Sequence, residues 1–250
     1  MTALFAGLTT LDVLHRLDHV PDVGVKVTST GFTMAAGGPA TNAAVTYAAL
    51  SAVARSLSID EAVAPSSGPA SCGDGPVLLT ALGSGPVSAF LAADLAAAGV
   101  TVLDATTPLS ADAASLGDHA TASPASHLPE PGERGAAQAS SPTSREPAVS
   151  SIIEHPAGRM VASTNARLEA DPARVAAELP RRVGVVLIDG HNPALAQAAL
   201  TLGVPEVGGD DPFAQLDARP PHLRVLDGGS WKDWLPALLG FVDVAVVSED

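Results

Sequence analysis

Apolar and polar positions along this chain fall into short runs whose order predicts strands interleaved with helices. Residues 3–8 form an apolar run of strand length, and residues 11–17 alternate in part around Val13. Residues 25–34 read as a two-sided strand, and an Ala-rich helix follows over about 41–54. The runs 77–82, 87–98 and 100–104 read as strand, helix and strand, which together make a βαβ unit. Residues 149–155 and 160–164, joined by Pro156-Ala157-Gly158-Arg159, form a predicted β-hairpin. A helix over 172–179, a strand over 183–189, a helix over 194–202, a strand at 225–227, a helix over 231–239 and a strand over 242–247 complete the series.

Three stretches break this alternation: about 56–76, 106–147 and 208–221. Ser, Ala, Pro and Gly dominate them, and they hold too few large apolar groups to pack, so they are expected to be disordered insertions. Strands alternating with helices argue for one α/β domain built on a parallel sheet covered on both faces. A chain of 250 residues with 46% hydrophobic content can bury one substantial core of this kind.

Composition narrows the partners. The formal charge of −14 argues against nucleic acid, whose backbone is bound by clustered Lys and Arg. Cys72 is the single cysteine, so no intrachain disulfide forms and the chain suits a reducing compartment. No run approaches the ~20 apolar residues of a membrane span, and the N-terminus lacks a basic segment leading into an apolar one. The expectation is a cytoplasmic protein with no membrane partner.

The chemistry concentrates in Ala36-Gly37-Gly38-Pro39-Ala40-Thr41-Asn42-Ala43. Two glycines let the backbone approach a ligand, and the helix they open offers free N–H donors in its first turn. Asn42 adds a side chain that both donates and accepts. Asp12 lies beyond the first strand, where ligands gather in open α/β sheets. Asp189 and Asn192 follow a later strand in the run Asp189-Gly190-His191-Asn192.

The motif Gly-Gly-x-x-x-Asn-x-Ala, preceded by Phe5-Ala6-Gly7-Leu8-Thr9-Thr10-Leu11-Asp12, resembles the N-terminal half of ribokinase-like (PfkB) carbohydrate kinases. Residues 186–193, 225–229 and 244–249 resemble that family's later elements, and the Asp-Gly-His-Asn run is similar to its ketohexokinase-like branch. The resemblance implies a three-layer α/β/α sandwich. It also implies a small β-lid, built from about 11–36 and 149–164, that closes over a sugar. It implies sugar contacts from Asp12, Gly37, Gly38 and Asn42, joined by Asp189 and Asn192. ATP and Mg²⁺ are the implied cofactors, and a homodimer through the lid the implied assembly. The family's Asp-Thr-x-Gly-Ala-Gly-Asp motif, with its anion hole and general base, does not occur in these 250 residues. The expectation is therefore a C-terminally truncated kinase, inactive on its own, with a non-catalytic sugar-binding remnant or subunit as the alternative.

A third reading starts from Gly83-Ser84-Gly85, which follows a predicted strand and precedes a helix, with Asp104 about one βαβ unit further on. This approximates a dinucleotide-binding fingerprint of a nicotinamide-dependent oxidoreductase, but Ser88 replaces its third glycine. Asp227-Gly228-Gly229, with Lys232 nearby, is read as a strand-to-helix turn. Hydrolase and metal motifs are lacking.

Overall fold

A computed structural model describes residues 2–58, 75–107, 146–165, 168–204, 222–229 and 231–247. Most of the three expected insertions lies outside the described residues. At their rims, residues 56–58 are helical rather than part of an insertion, and Thr106 forms an isolated bridge with Ala170.

The core is a six-stranded, all-parallel sheet. Its strands are β1 (Thr2–Ala6), β4 (Val77–Thr80), β5 (Thr101–Asp104), β8 (Val183–Asp189), β9 (Leu223–Asp227) and β10 (Val244–Val246), in the order β10-β9-β8-β1-β4-β5. The first strand of the chain sits between β8 and β4, and all five of its residues are buried.

Helices α1 (Pro39–Ser58) and α2 (Pro86–Ala97) cover one face. Ala40, Ala44 and Ala48 recur every fourth position of α1 and are buried, so the helix lies close against Ala3, Phe5 and Leu78. On the opposite face, α3 (Pro193–Leu200) presses Leu195, Ala196, Ala199 and Leu200 onto Leu4, Leu79, Val186 and Ile188. Each fully buried leucine contributes about 1.5–3 kcal/mol. The result is the expected α/β/α sandwich.

The lid is a second sheet, in the order β3-β2-β6-β7, formed by β2 (Thr10–Arg16), β3 (Gly31–Gly37), β6 (Ala148–His155) and β7 (Gly158–Ser163). β2 and β6 run parallel, from Thr10↔Ala148 to Arg16↔Glu154, while β3 and β7 are antiparallel to their neighbours. Leu11 and Val13 on one lid face join Leu82, Leu91 and Val87, which anchors the lid to α2. The Asp94 carboxylate, on α2, accepts from the Ala36 N–H at 2.8 Å and adds a polar tie.

Several predicted boundaries need correction. The strand expected over 25–34 begins at Gly31 and runs through Gly37. Val23 and Val25 belong to the preceding loop and are exposed, so apolar character alone misplaced that edge. The helix expected over 41–54 starts at Pro39, where proline suits a first turn, and extends to Ser58. The helix over 172–179 is a 3-10 turn, Pro172–Val175, capped by Asp171 and followed by turns that end at Pro180. The helix over 231–239 is two short 3-10 turns, Leu235–Ala237 and Leu239–Phe241. Pro236 has no N–H to sustain a longer helix there. β10 is shorter than expected, and all three of its residues are exposed.

Candidate functional site

The carboxyl ends of β1, β4 and β8 meet the lid and the start of α1, and the residues singled out in the sequence, Asn42 apart, lie around this junction. Gly38 has φ 102°, a backbone conformation that favours glycine, and a Cβ there would lie 2.3 Å from the Leu8 carbonyl oxygen. A Cβ on Gly37 would lie 2.0 Å from Asp12 Oδ2. The glycine pair therefore lets the entry to α1 lie against both the loop after β1 and the first lid strand.

Asp12 is half-buried on β2, and its Oδ1 accepts from the Thr10 hydroxyl at 2.7 Å. In register it stands between Ala35 of β3 and Ser150 of β6. Asn42 lies one turn into α1, where its N–H closes the first helical hydrogen bond to Gly38 O at 2.8 Å, and the residue is exposed.

Asp189, at the end of β8, is 1% exposed and ties three segments together. Its Oδ2 accepts from the N–H groups of Leu8 at 2.8 Å and Ala40 at 3.1 Å, and its Oδ1 accepts from His191 N–H at 3.0 Å. A Cβ on Gly7 would fall 2.2 Å from this carboxyl group, so the strand-end glycine makes room for it. Burial raises the pKa of Asp189 above the usual carboxylate value, opposed by the Leu8 N–H, the nearby His191 and the other two amide donors. The carboxylate thus fixes the loop after β1 and the first turn of α1 through main-chain donors.

Beside this hub opens a narrow cleft lined by Gly7, Leu8, Thr9, Thr80, Ala81, Pro147, Ala148, Leu168, His191, Asn192 and Leu195. Of the six residues expected to contact a sugar, Asn192 lines this cleft. Its side-chain oxygen caps α3 by accepting from Leu195 N–H at 3.2 Å, and its amide NH₂ keeps donor capacity. Asp12, Gly37 and Gly38 border the junction from the lid side, Asp189 lies beneath it, and Asn42 lies on the helix surface beyond it.

Sequence reading missed Gly7 and a buried threonine cluster. The hydroxyl of Thr9 lies 2.9 Å from those of both Thr41 and Thr80, while Thr41 donates to Leu8 O and Thr80 to Gly7 O. The glycine closing the first strand and the threonine in the first turn of α1 were the available signals.

The dinucleotide reading finds its key carboxylate already engaged. Asp104 Oδ1 accepts from the N–H groups of Leu82 at 2.9 Å and Thr106 at 3.0 Å, closing the turns after β4 and β5. Ser88, buried, donates to Leu82 O at 2.8 Å. Among the described residues, no three His, Cys, Asp or Glu side chains come together to hold a metal. The turn after β9 directs the Gly228 N–H to Val246 O at 2.7 Å, so that amide serves the sheet edge rather than a phosphate.

A parallel sheet flanked by helices and overhung by a four-stranded lid is the ribokinase-like fold, and solved structures agree. Ribokinase from Giardia lamblia matches with TM-score 0.55 at 11% identity, over 99% of this chain and 58% of its own. An Agrobacterium tumefaciens protein assigned as a ribokinase matches with TM-score 0.54 at 19% identity, over 99% and 59%. Ribokinase from Thermotoga maritima matches with TM-score 0.51 at 12% identity, over 100% and 59%. The chain therefore spans less than two thirds of the length of these structures. No protein-family model and no curated protein sequence matches it.

Proposed function

We propose that this chain forms the sugar-binding part of a carbohydrate kinase, in which a sugar hydroxyl attacks the γ-phosphorus of ATP and ADP leaves. The observation that carries this reading is the cleft at the carboxyl ends of β1, β4 and β8. Asn192 and the lid residue Ala148 line it, and Asp12 and the glycine pair stand at the neighbouring junction between the lid and α1. Amide, imidazole and hydroxyl groups around a narrow opening, with a carboxylate at the adjoining junction, suit a ligand rich in hydroxyls. Asp12 would accept from sugar hydroxyls, Asn192 would donate, and Asp189 would hold the loops that shape the floor. Mg²⁺ would neutralise the phosphate charge, and none of the described residues is assigned a catalytic role.

The 250-residue chain is expected to bind a sugar without turning over ATP. Equilibrium dialysis against ketoses and pentoses, alongside an assay of sugar-dependent ADP formation, tests both halves. Binding without ADP supports the reading. Measurable turnover would show that the described residues understate the catalytic machinery, and absence of any binding would overturn the proposal.

A further inference from the structure

At the junction of α1, β4 and the loop after β1, five oxygens form one chain, buried at its three threonines and at Gly7 and part-buried at Leu8. It runs from Leu8 O to the Thr41 hydroxyl at 3.0 Å, to Thr9 at 2.9 Å, to Thr80 at 2.9 Å, and to Gly7 O at 2.8 Å. The three threonines are at most 1% exposed, which keeps bulk water away from the links between them. Each link needs one proton between its two oxygens. Carbonyl oxygens bring none, and each hydroxyl brings one. Four links therefore share three protons, and one link is always empty.

The position of the empty link decides the state of the chain. If both carbonyls receive hydroxyl protons, Thr9 can donate to only one neighbour. Its oxygen then faces the lone pairs of the other at 2.9 Å. If instead every hydroxyl–hydroxyl link is made, all three protons run in one direction, and the carbonyl at the far end loses its hydroxyl donor. Thr9 is the residue whose proton selects between the directions.

We infer that Thr9, Thr41 and Thr80 form a proton-ordering switch in which the Thr9 hydroxyl is a swivel, turned toward α1 or toward β4. The device links the glycine-rich entry of α1 to the strand end that lines the cleft. It holds whatever ligand the cleft takes, because it depends on the proton count alone. Its sharp consequence concerns stability. Removing a buried hydroxyl normally leaves its partner unsatisfied, but removing that of Thr9 leaves Thr41 to serve Leu8 O and Thr80 to serve Gly7 O with no link empty.

Thermal unfolding of Thr9→Val, Thr41→Val and Thr80→Val in the full chain tests this. Thr9→Val is expected to melt within about 2 °C of the parent. Thr41→Val and Thr80→Val each strand one carbonyl and are expected to melt about 3–8 °C lower. The inference is overturned if Thr9→Val melts as low as the other two or fails to fold. It is equally overturned if all three variants melt like the parent.

Discussion

Two ionic centres, one buried and one partly open to solvent at its carboxylate, sit at opposite ends of the parallel sheet and hold their carboxylates differently. At the carboxyl end, Asp189 is surrounded by main-chain N–H groups from three segments. At the amino end, Arg224 of β9, whose side chain is 4% exposed, meets the Asp243 carboxylate through Nε and Nη2, both at 3.2 Å, and through its own main-chain N–H at 2.9 Å. Among the described residues, His222, buried two residues before it, finds no hydrogen-bond partner for Nε2. Asp243 takes its donors from one residue of a single neighbouring strand, whereas Asp189 takes them from the backbone of three separate segments and so specifies where loops lie.

The comparison predicts a ranking of effects, and urea unfolding measures it. Asp243→Ala strands the Arg224 guanidinium in the interior and is expected to cost about 3–5 kcal/mol. Gly7→Ala drives a methyl group into the Asp189 carboxyl group, which its three donors prevent from moving aside, at an expected cost of about 2–3 kcal/mol. If Gly7→Ala is harmless, the carboxyl end is not the rigid hub described above. Asp189→Asn keeps the shape but turns an NH₂ toward amide donors, at an expected cost of about 1–3 kcal/mol.

The pH dependence sharpens the contrast further. Because the folded pKa of Asp189 is raised, its contribution is complete below the unfolded carboxylate value and fades as pH rises through the folded one. The gap in stability between the parent and Asp189→Asn should therefore be widest in acid and narrow as the pH climbs. His222 behaves oppositely, since burial and then the charge of Arg224 lower its pKa, with Asp243 opposing. Its contribution is present above the ordinary value of 6.5 and is lost as pH falls through the depressed one. This is the smallest effect, and His222→Gln should flatten the stability profile below that value. An unchanged slope would mean that another group carries it.

Periodicity was enough to read the order of elements, because strands buried on both faces and Ala-striped helices leave strong signatures. Ala40, Ala44 and Ala48 are one such stripe, and Val183–Asp189 is one such strand. Boundaries failed where an apolar side chain ended in an exposed loop, as Val25 did, or where Pro236 cut a helical pattern short. The candidate residues were legible as a neighbourhood in the fold but not as a set of contacts. Gly37, Gly38 and Asp12 do converge, because a glycine pair beside a carboxylate is a local signal. Asp189 looked like a ligand residue, and only the fold shows its oxygens meeting Leu8 and Ala40, which are remote from it in sequence. Thr9, Thr41 and Thr80 are ordinary threonines until the sheet and α1 bring them together.

The central place of β1 sets the order in which the molecule can be completed. Its five residues leave the ribosome well before one of their two neighbours, β8, which begins at Val183. The lid waits similarly, since β2 pairs with β6 across a separation of 138 residues at Arg16 and Glu154. At ordinary rates of synthesis, the first strand spends on the order of ten to forty seconds with one flank unpaired. Nascent chains stalled before residue 183 should therefore be far more sensitive to protease at their N-terminal strand than chains stalled after β8 has emerged.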